Sequence, residues 1–185
     1  MNLLLIISII WVLSEIILSR LLRANDSHND YDKSSLKILW ITICISITLG
    51  IIFRNSTFTL TSQYVSLIYH SGLFLICTGL IIRWIAILKL KKSFTVNVSV
   101  TENQMIVQSG IYKQIRHPSY LGSLLSFAGL ALVFNDWLTF AIIFIPILFA
   151  FMYRIQIEEK LLSQVFGAQY TDYIENSKKL IPKIF

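Results

Sequence analysis

Charge is what this chain has little of. Of its 185 residues 14% are Asp, Glu, Lys or Arg and 55% are hydrophobic, with a mean hydropathy of +0.68. A soluble domain of this size carries roughly a quarter charged residues. The deficit is concentrated in long apolar runs, which excludes an ordinary soluble domain and points to a polytopic membrane protein. Cysteine is scarce too: Cys44 and Cys77 lie inside apolar runs, form no C-x-x-C pair and have no clustered His or Cys neighbours. Neither a metal nor a redox site is indicated, and both read as packing residues. The seven glycines nowhere form G-x-G-x-x-G, so the glycine-rich turn of dinucleotide-type folds is absent. The net charge of +6 has a better explanation in membrane topology than in nucleic acid.

Five apolar segments are present: Leu3 to Leu18, Ile38 to Phe53, Val65 to Leu88, Tyr120 to Phe134 and Trp137 to Tyr153. A helix needs about 20 residues to cross the hydrocarbon core. The third segment meets this alone, and the first two meet it with flanking residues. The first begins at Leu3 without a basic stretch before it or a clear small-residue cleavage site, so it is expected to be a retained span. Tyr120 to Tyr153 is too long for one span, and Asn135-Asp136 is its only strongly polar break, which predicts a tight helical hairpin. The fold class that follows is an all-α integral membrane protein with about five transmembrane helices. A C-terminal hairpin is among them, and an amphipathic C-terminal helix lies on the cytoplasmic side.

Lysine and arginine set the orientation. Of sixteen, Arg54 alone falls on one side, and the other fifteen belong to the loops at 19–37 and 89–119, to the tail from Arg154, or to their boundaries. Those segments are expected to be cytoplasmic and the N-terminus outside. Glu15 and Arg83, within or at the ends of spans, read as solvated or Arg-paired boundary residues.

Polar chemistry concentrates at two places. The string Arg116-His117-Pro118-Ser119-Tyr120-Leu121-Gly122 stands where a basic loop enters an apolar helix. Pro118 suits the first helical position, but a helix start does not explain Arg116, His117 and Tyr120 crowding one turn. Polar groups at that depth need partners, and a helix N-terminus beside cations suits an anionic group. Upstream, residues 93–100 alternate in polarity and predict a short extended segment. Arg154 and Glu158 are four apart and share a helix face, where they could simply pair. Beyond them Leu161, Leu162, Val165, Phe166, Tyr170, Tyr173 and Ile174 form an apolar stripe, interrupted by Gly167 as a bend or a close contact. If that helix covers the mouth of the hairpin, Arg154 and Glu158 approach His117. The result is a pocket polar at one end and apolar at the other.

Ser109-Gly110-Ile111-Tyr112-x3-Arg116-His117-Pro118-Ser119-Tyr120-Leu121-Gly122 resembles the cofactor motif of the isoprenylcysteine carboxyl methyltransferase family. Arg154-x3-Glu158-Glu159-x6-Phe166-Gly167-x2-Tyr170-x2-Tyr173 with Leu180-Ile181-Pro182 resembles its C-terminal motif. The resemblance covers about residues 93–185 and implies S-adenosylmethionine-dependent methyl transfer at the cytoplasmic membrane face. It implies a division into three N-terminal spans (1–90) and a catalytic region (91–185) whose last helix covers the cofactor. Tyr112, His117, Pro118, Ser119, Tyr120 and Glu158 would then contact the cofactor, with Gln104, Met105, Ile106 and Val107 at a further cofactor position. Arg154 would hold the substrate carboxylate and, with Glu158, make up the catalytic pair. The implied partners are a lipophilic or lipid-modified substrate and membrane lipid, with no metal and no nucleic acid. The short five-span form resembles prokaryotic members, which implies a prokaryotic inner membrane. Methyl transfer to a phospholipid amine or small thiol, and a non-enzymatic docking subunit, are the alternative readings.

Overall fold

The computed structural model describes residues 3–21, 34–54, 62–90 and 106–185; the alternating segment 93–100, Gln104 and Met105 lie outside them. Six α-helices follow one another among the described residues: α1 (Leu3–Leu21), α2 (Ser34–Phe53), α3 (Val65–Leu90), α4 (Pro118–Val133), α5 (Trp137–Phe166) and α6 (Ala168–Asn176). No strand occurs among the described residues, and one isolated bridge pairs Ile115 with Lys178. Helices α2, α3 and α5 are long and apolar enough to cross a membrane, while α1 and α4 are shorter apolar helices. Closed hydrogen bonding within each helix is what lets such segments sit in lipid.

The tightest seam joins α3 to α4. Gly72 faces Gly129 and Gly79 faces Gly122, and a Cβ built at any of the four falls within 3.0 Å of the opposing backbone. Both glycine pairs are seven residues apart, two turns of helix, so the antiparallel backbones touch along one stripe. In lipid, where helices gain little from burying apolar surface against each other, close backbone approach at small residues is a principal source of adhesion. Ser126 Oγ crosses this seam to the Ile76 carbonyl at 3.3 Å. Leu39 and Ile43 of α2 join Ile143, Ile147, Ala150 and Phe151 of α5 in the core, and Gly50 leaves room for Ile143.

The hairpin turns where the polar break predicts it. Asn135 takes a left-handed backbone (φ 55°), and Asp136 caps α5 by accepting from the Thr139 amide at 2.7 Å. The apolar stripe read beyond Arg154 divides between two helices: its first part continues α5, which runs unbroken for 30 residues to Phe166, and Tyr170, Tyr173 and Ile174 belong to the separate C-terminal helix α6. At about 1.5 Å per residue α5 measures about 45 Å against a hydrocarbon core of about 30 Å. Trp137 to Tyr153 is the apolar part suited to the hydrocarbon, and the charged remainder from Arg154 carries the helix about 20 Å further. Helix formers such as Glu158, Glu159, Lys160 and Leu161 carry the helix past the boundary. Val165, placed in the apolar stripe, is 46% exposed, whereas Leu161, Tyr170 and Tyr173 are buried. Gly167 then breaks the helix as a bend: its φ is 52° and nothing lies near its Cα hydrogens, so the backbone, not a close contact, calls for glycine there. Residues after α6 return along the loop before α4, with Arg116 N donating to Lys178 O (2.8 Å), Lys178 N to Gln114 O (2.9 Å) and His117 N to Lys179 O (3.1 Å).

Candidate functional site at the charged end of the bundle

The polar side chains of both sequence motifs meet where α4 begins, beside the charged part of α5 and the returning strap. Pro118 occupies the first turn of α4 and is buried, with His117 at the cap position. The buried His117 ring lies parallel to the Tyr120 ring, with centroids 5.6 Å apart and planes 9° from coplanar. Its Nε2 is 3.2 Å from Glu159 Oε1. An ionised carboxylate only accepts, so that nitrogen carries the proton. Its Nδ1 faces Glu158 Oε2 at 3.9 Å.

Arg154 is 3% exposed. Its Nε donates to the Tyr120 hydroxyl and its Nη1 to Ser35 Oγ at the start of α2, both at 3.0 Å. A planar guanidinium gripped by two hydroxyls from two other helices has little rotational freedom. The simple pairing of Arg154 with Glu158 along one helix is therefore not the arrangement that holds this guanidinium. Glu158 Oε2 and the Tyr170 hydroxyl are buried without a hydrogen-bond partner among the described residues. Such atoms are costly to leave unmet and mark where a bound polar group belongs.

Arg116 does not point at the site as a free cation. It donates to Glu159 Oε1 at 2.8 Å and to the Ile174 and Ser177 carbonyls at 3.2 and 2.6 Å, closing the C-terminal end of α6. Lys179 adds a second cation at 3.4 Å from Glu159 Oε2. Burial alone would raise the Glu159 carboxyl, but hydrogen bonds from His117 and Arg116 outweigh it and hold the group at about 2. Burial first, and the Glu158 charge second, push the Tyr112 hydroxyl far above its ordinary value, so it stays a neutral donor, bonded to the Ala86 carbonyl at 3.3 Å. Tyr173 donates to the Tyr112 carbonyl at 2.6 Å, and burial raises its own hydroxyl to about 12 despite the nearby Arg116.

The structure thus brings Tyr112, His117, Pro118, Ser119, Tyr120, Arg154 and Glu158 into one end of the molecule. Ile106 and Val107 are half-buried in the segment entering it. Ser35 and the central part of Glu159 are not anticipated. Ser35 lies 119 residues from its partner, a separation no local pattern reveals. Glu159 stands in the charged motif, where adjacency to Glu158 hides its separate job.

Fold and site together define an all-helical, multi-pass integral membrane protein with a buried ionic site where the bundle leaves the lipid. The model of the isoprenylcysteine carboxyl methyltransferase (ICMT) family matches residues 72–164, half of the chain and most of α3 to α5. The chain belongs to that family. It is 34% identical over 113 residues to protein-S-isoprenylcysteine O-methyltransferase A of Arabidopsis thaliana, covering 60% of this chain and 57% of that protein. It is 35% identical over 105 residues to the Saccharomyces cerevisiae protein-S-isoprenylcysteine O-methyltransferase, covering 55% and 44%. The solved eukaryotic intramembrane Ras methyltransferase ICMT superposes with a TM-score of 0.58 at 25% identity, over 83% of this chain and 54% of that one. The chain thus spans little more than half the length of the Arabidopsis relative. These relatives are eukaryotic, so the prokaryotic assignment drawn from the five-span form is not sustained.

Proposed function

We propose that this protein is an S-adenosylmethionine-dependent methyltransferase that esterifies a carboxylate on an isoprenylated cysteine, working at the cytoplasmic face of the membrane. The observation that carries the reading is a pair of opposite charges at the membrane boundary. The Arg154 guanidinium, fixed by Tyr120 and Ser35, stands one helical turn from Glu158, whose Oε2 is buried without a hydrogen-bond partner among the described residues. The names of the relatives supply the chemistry that such a pair would serve.

The residues fit a cofactor that is cationic at its reacting centre and carries amine and hydroxyl groups. Glu158 would meet the positive charge, and the Tyr170 hydroxyl and the Tyr112–Ser119 turn would meet the polar periphery. Bound there, S-adenosylmethionine supplies an electrophilic methyl whose transfer to a carboxylate oxygen leaves a neutral thioether and moves no proton. The protein therefore has no general base to provide, since a carboxylate is already ionised at neutral pH. Its task is placement in a water-poor site. Arg154 would hold the carboxylate in its planar fork, and Tyr120 and Ser35 would hold Arg154. His117, hydrogen-bonded to Glu159, would form one wall through its stacked ring. An apolar groove of about 490 Å³ lies beside this end, bounded by Leu121, Leu125, Phe144 and Met152 and closed by Leu180 and Phe185. It suits the hydrocarbon part of a lipid-modified substrate.

Calorimetry of S-adenosylhomocysteine binding to the purified protein is the test. Wild type is expected to bind saturably, and His117→Ala and Glu158→Ala to bind weakly. Arg154→Ala should keep the affinity while losing turnover, because that side chain serves the acceptor. Equal binding and turnover in all three variants would remove the assignment. Products that survive mild alkali would replace the carboxylate by an amine or a thiol, since only an ester hydrolyses there.

A further inference from the structure

Glu15 and Arg83 are ionisable side chains set among apolar helices, and the mechanism above uses neither. Arg83 Nε and Nη2 donate to Glu15 Oε1 and Oε2 at 2.6 and 2.7 Å, a two-pronged pair whose side chains are 14% and 23% exposed. The remaining arm is also engaged: Nη1 donates to Ser123 Oγ at 3.0 Å, and Ser123 Oγ donates on to the Ser119 carbonyl at 3.2 Å. Ser119 lies in the first turn of α4, between His117 and Tyr120. Arg83 is pressed onto that turn from behind as well, because a Cβ at Gly122 would stand 2.7 Å from the Arg83 nitrogen and 2.9 Å from its Cβ.

Adhesion alone is a poor account of the pair. Helix α1 also packs on the bundle through the buried Leu18 and through Trp11, whose ring lies 4.9 Å from that of Phe127, and replacing a buried ion pair by apolar side chains is often neutral or stabilising. What apolar residues cannot do is aim a third hydrogen bond. A guanidinium with two N–H groups locked on one carboxylate has its other edge fixed in direction.

We propose that Glu15 and Arg83 are positioning residues that hold the first turn of α4, and with it His117 and Tyr120, in reactive geometry through Ser123. The importance of that turn for catalysis rests on the function proposed above; the positioning itself does not. The experiment compares wild type with Glu15→Leu/Arg83→Met and with Ser123→Ala, by hydrogen exchange, S-adenosylhomocysteine binding and turnover.

The double variant is expected to melt no lower than wild type. Its Leu121 amide, which closes the turn on the His117 carbonyl at 3.0 Å, should exchange at least tenfold faster, with kcat reduced by a similar factor. Ser123→Ala, which leaves the ion pair in place, should move exchange and kcat in the same direction. Exchange at Leu121 within twofold of wild type in a folded variant would overturn the proposal. Should the double variant fail to fold, exchange at Leu121 in Ser123→Ala decides between the two outcomes by itself. A wild type without S-adenosylhomocysteine binding would count against the proposed function, while the exchange data would still decide the positioning role.

Discussion

Glu159 is the residue on which the charges of this site converge. It accepts from Arg116 and His117 and faces Lys179, three cationic or proton-bearing groups around one carboxylate. Its carboxyl sits at about 2, below the ordinary 4.5. A depressed carboxyl stabilises the fold above the ordinary value and loses that contribution as pH falls through the folded one. Melting temperature should therefore drop between pH 4.5 and about 2, and Glu159→Gln should flatten that part of the curve; the same slope in both proteins would contradict it. His117, Tyr120, Arg154 and Glu158 stand out in the sequence because polar residues are conspicuous in an apolar chain. Their partners do not. Ser35 is one serine among many, and Glu15 is 68 residues from Arg83. Only the folded helices supply those pairings.

At the scale of elements, the glycine seam between α3 and α4 sets where His117 and Arg83 stand relative to each other. Gly79→Leu is expected to force the two backbones apart, because its Cβ alone meets the Gly122 carbonyl and the Ser126 amide. Overpacking typically costs about 1–3 kcal/mol, and here the obstacle is backbone, which cannot repack. Loss of folded protein on size exclusion is the expected result; a variant as stable as wild type would show that the seam yields. The helical hairpin could be read from one polar dipeptide in a long apolar run. The length of α5 could not. Arg154, Glu158 and Glu159 signal the end of hydrophobicity, and that is a membrane boundary, not a helix boundary.

For the whole molecule, the charge distribution separates two ends. Asn135 lies at the hairpin turn and Lys160 on the emergent part of α5, with the membrane-filling part of that helix between them. With Cys44 and Cys77 first replaced by serine, Asn135→Cys and Lys160→Cys should react with an impermeant thiol reagent from opposite sides of sealed vesicles. Lys160→Cys is expected to be on the cytoplasmic side, following the fifteen-to-one distribution of basic residues. Labelling of both from one side would invalidate the orientation.

The strap over the site has a bearing on how the protein is made. Arg116 and His117 are held by Ser177, Lys178 and Lys179, synthesised some sixty positions later. Insertion of the helices into the bilayer, one or two at a time, cannot by itself complete the ionic cluster. That step waits until translation has passed residue 180 and the strap has folded back on the watery side. A chain with every apolar helix already in the membrane would still lack the assembled ionic cluster, so the site is completed last, and outside the lipid.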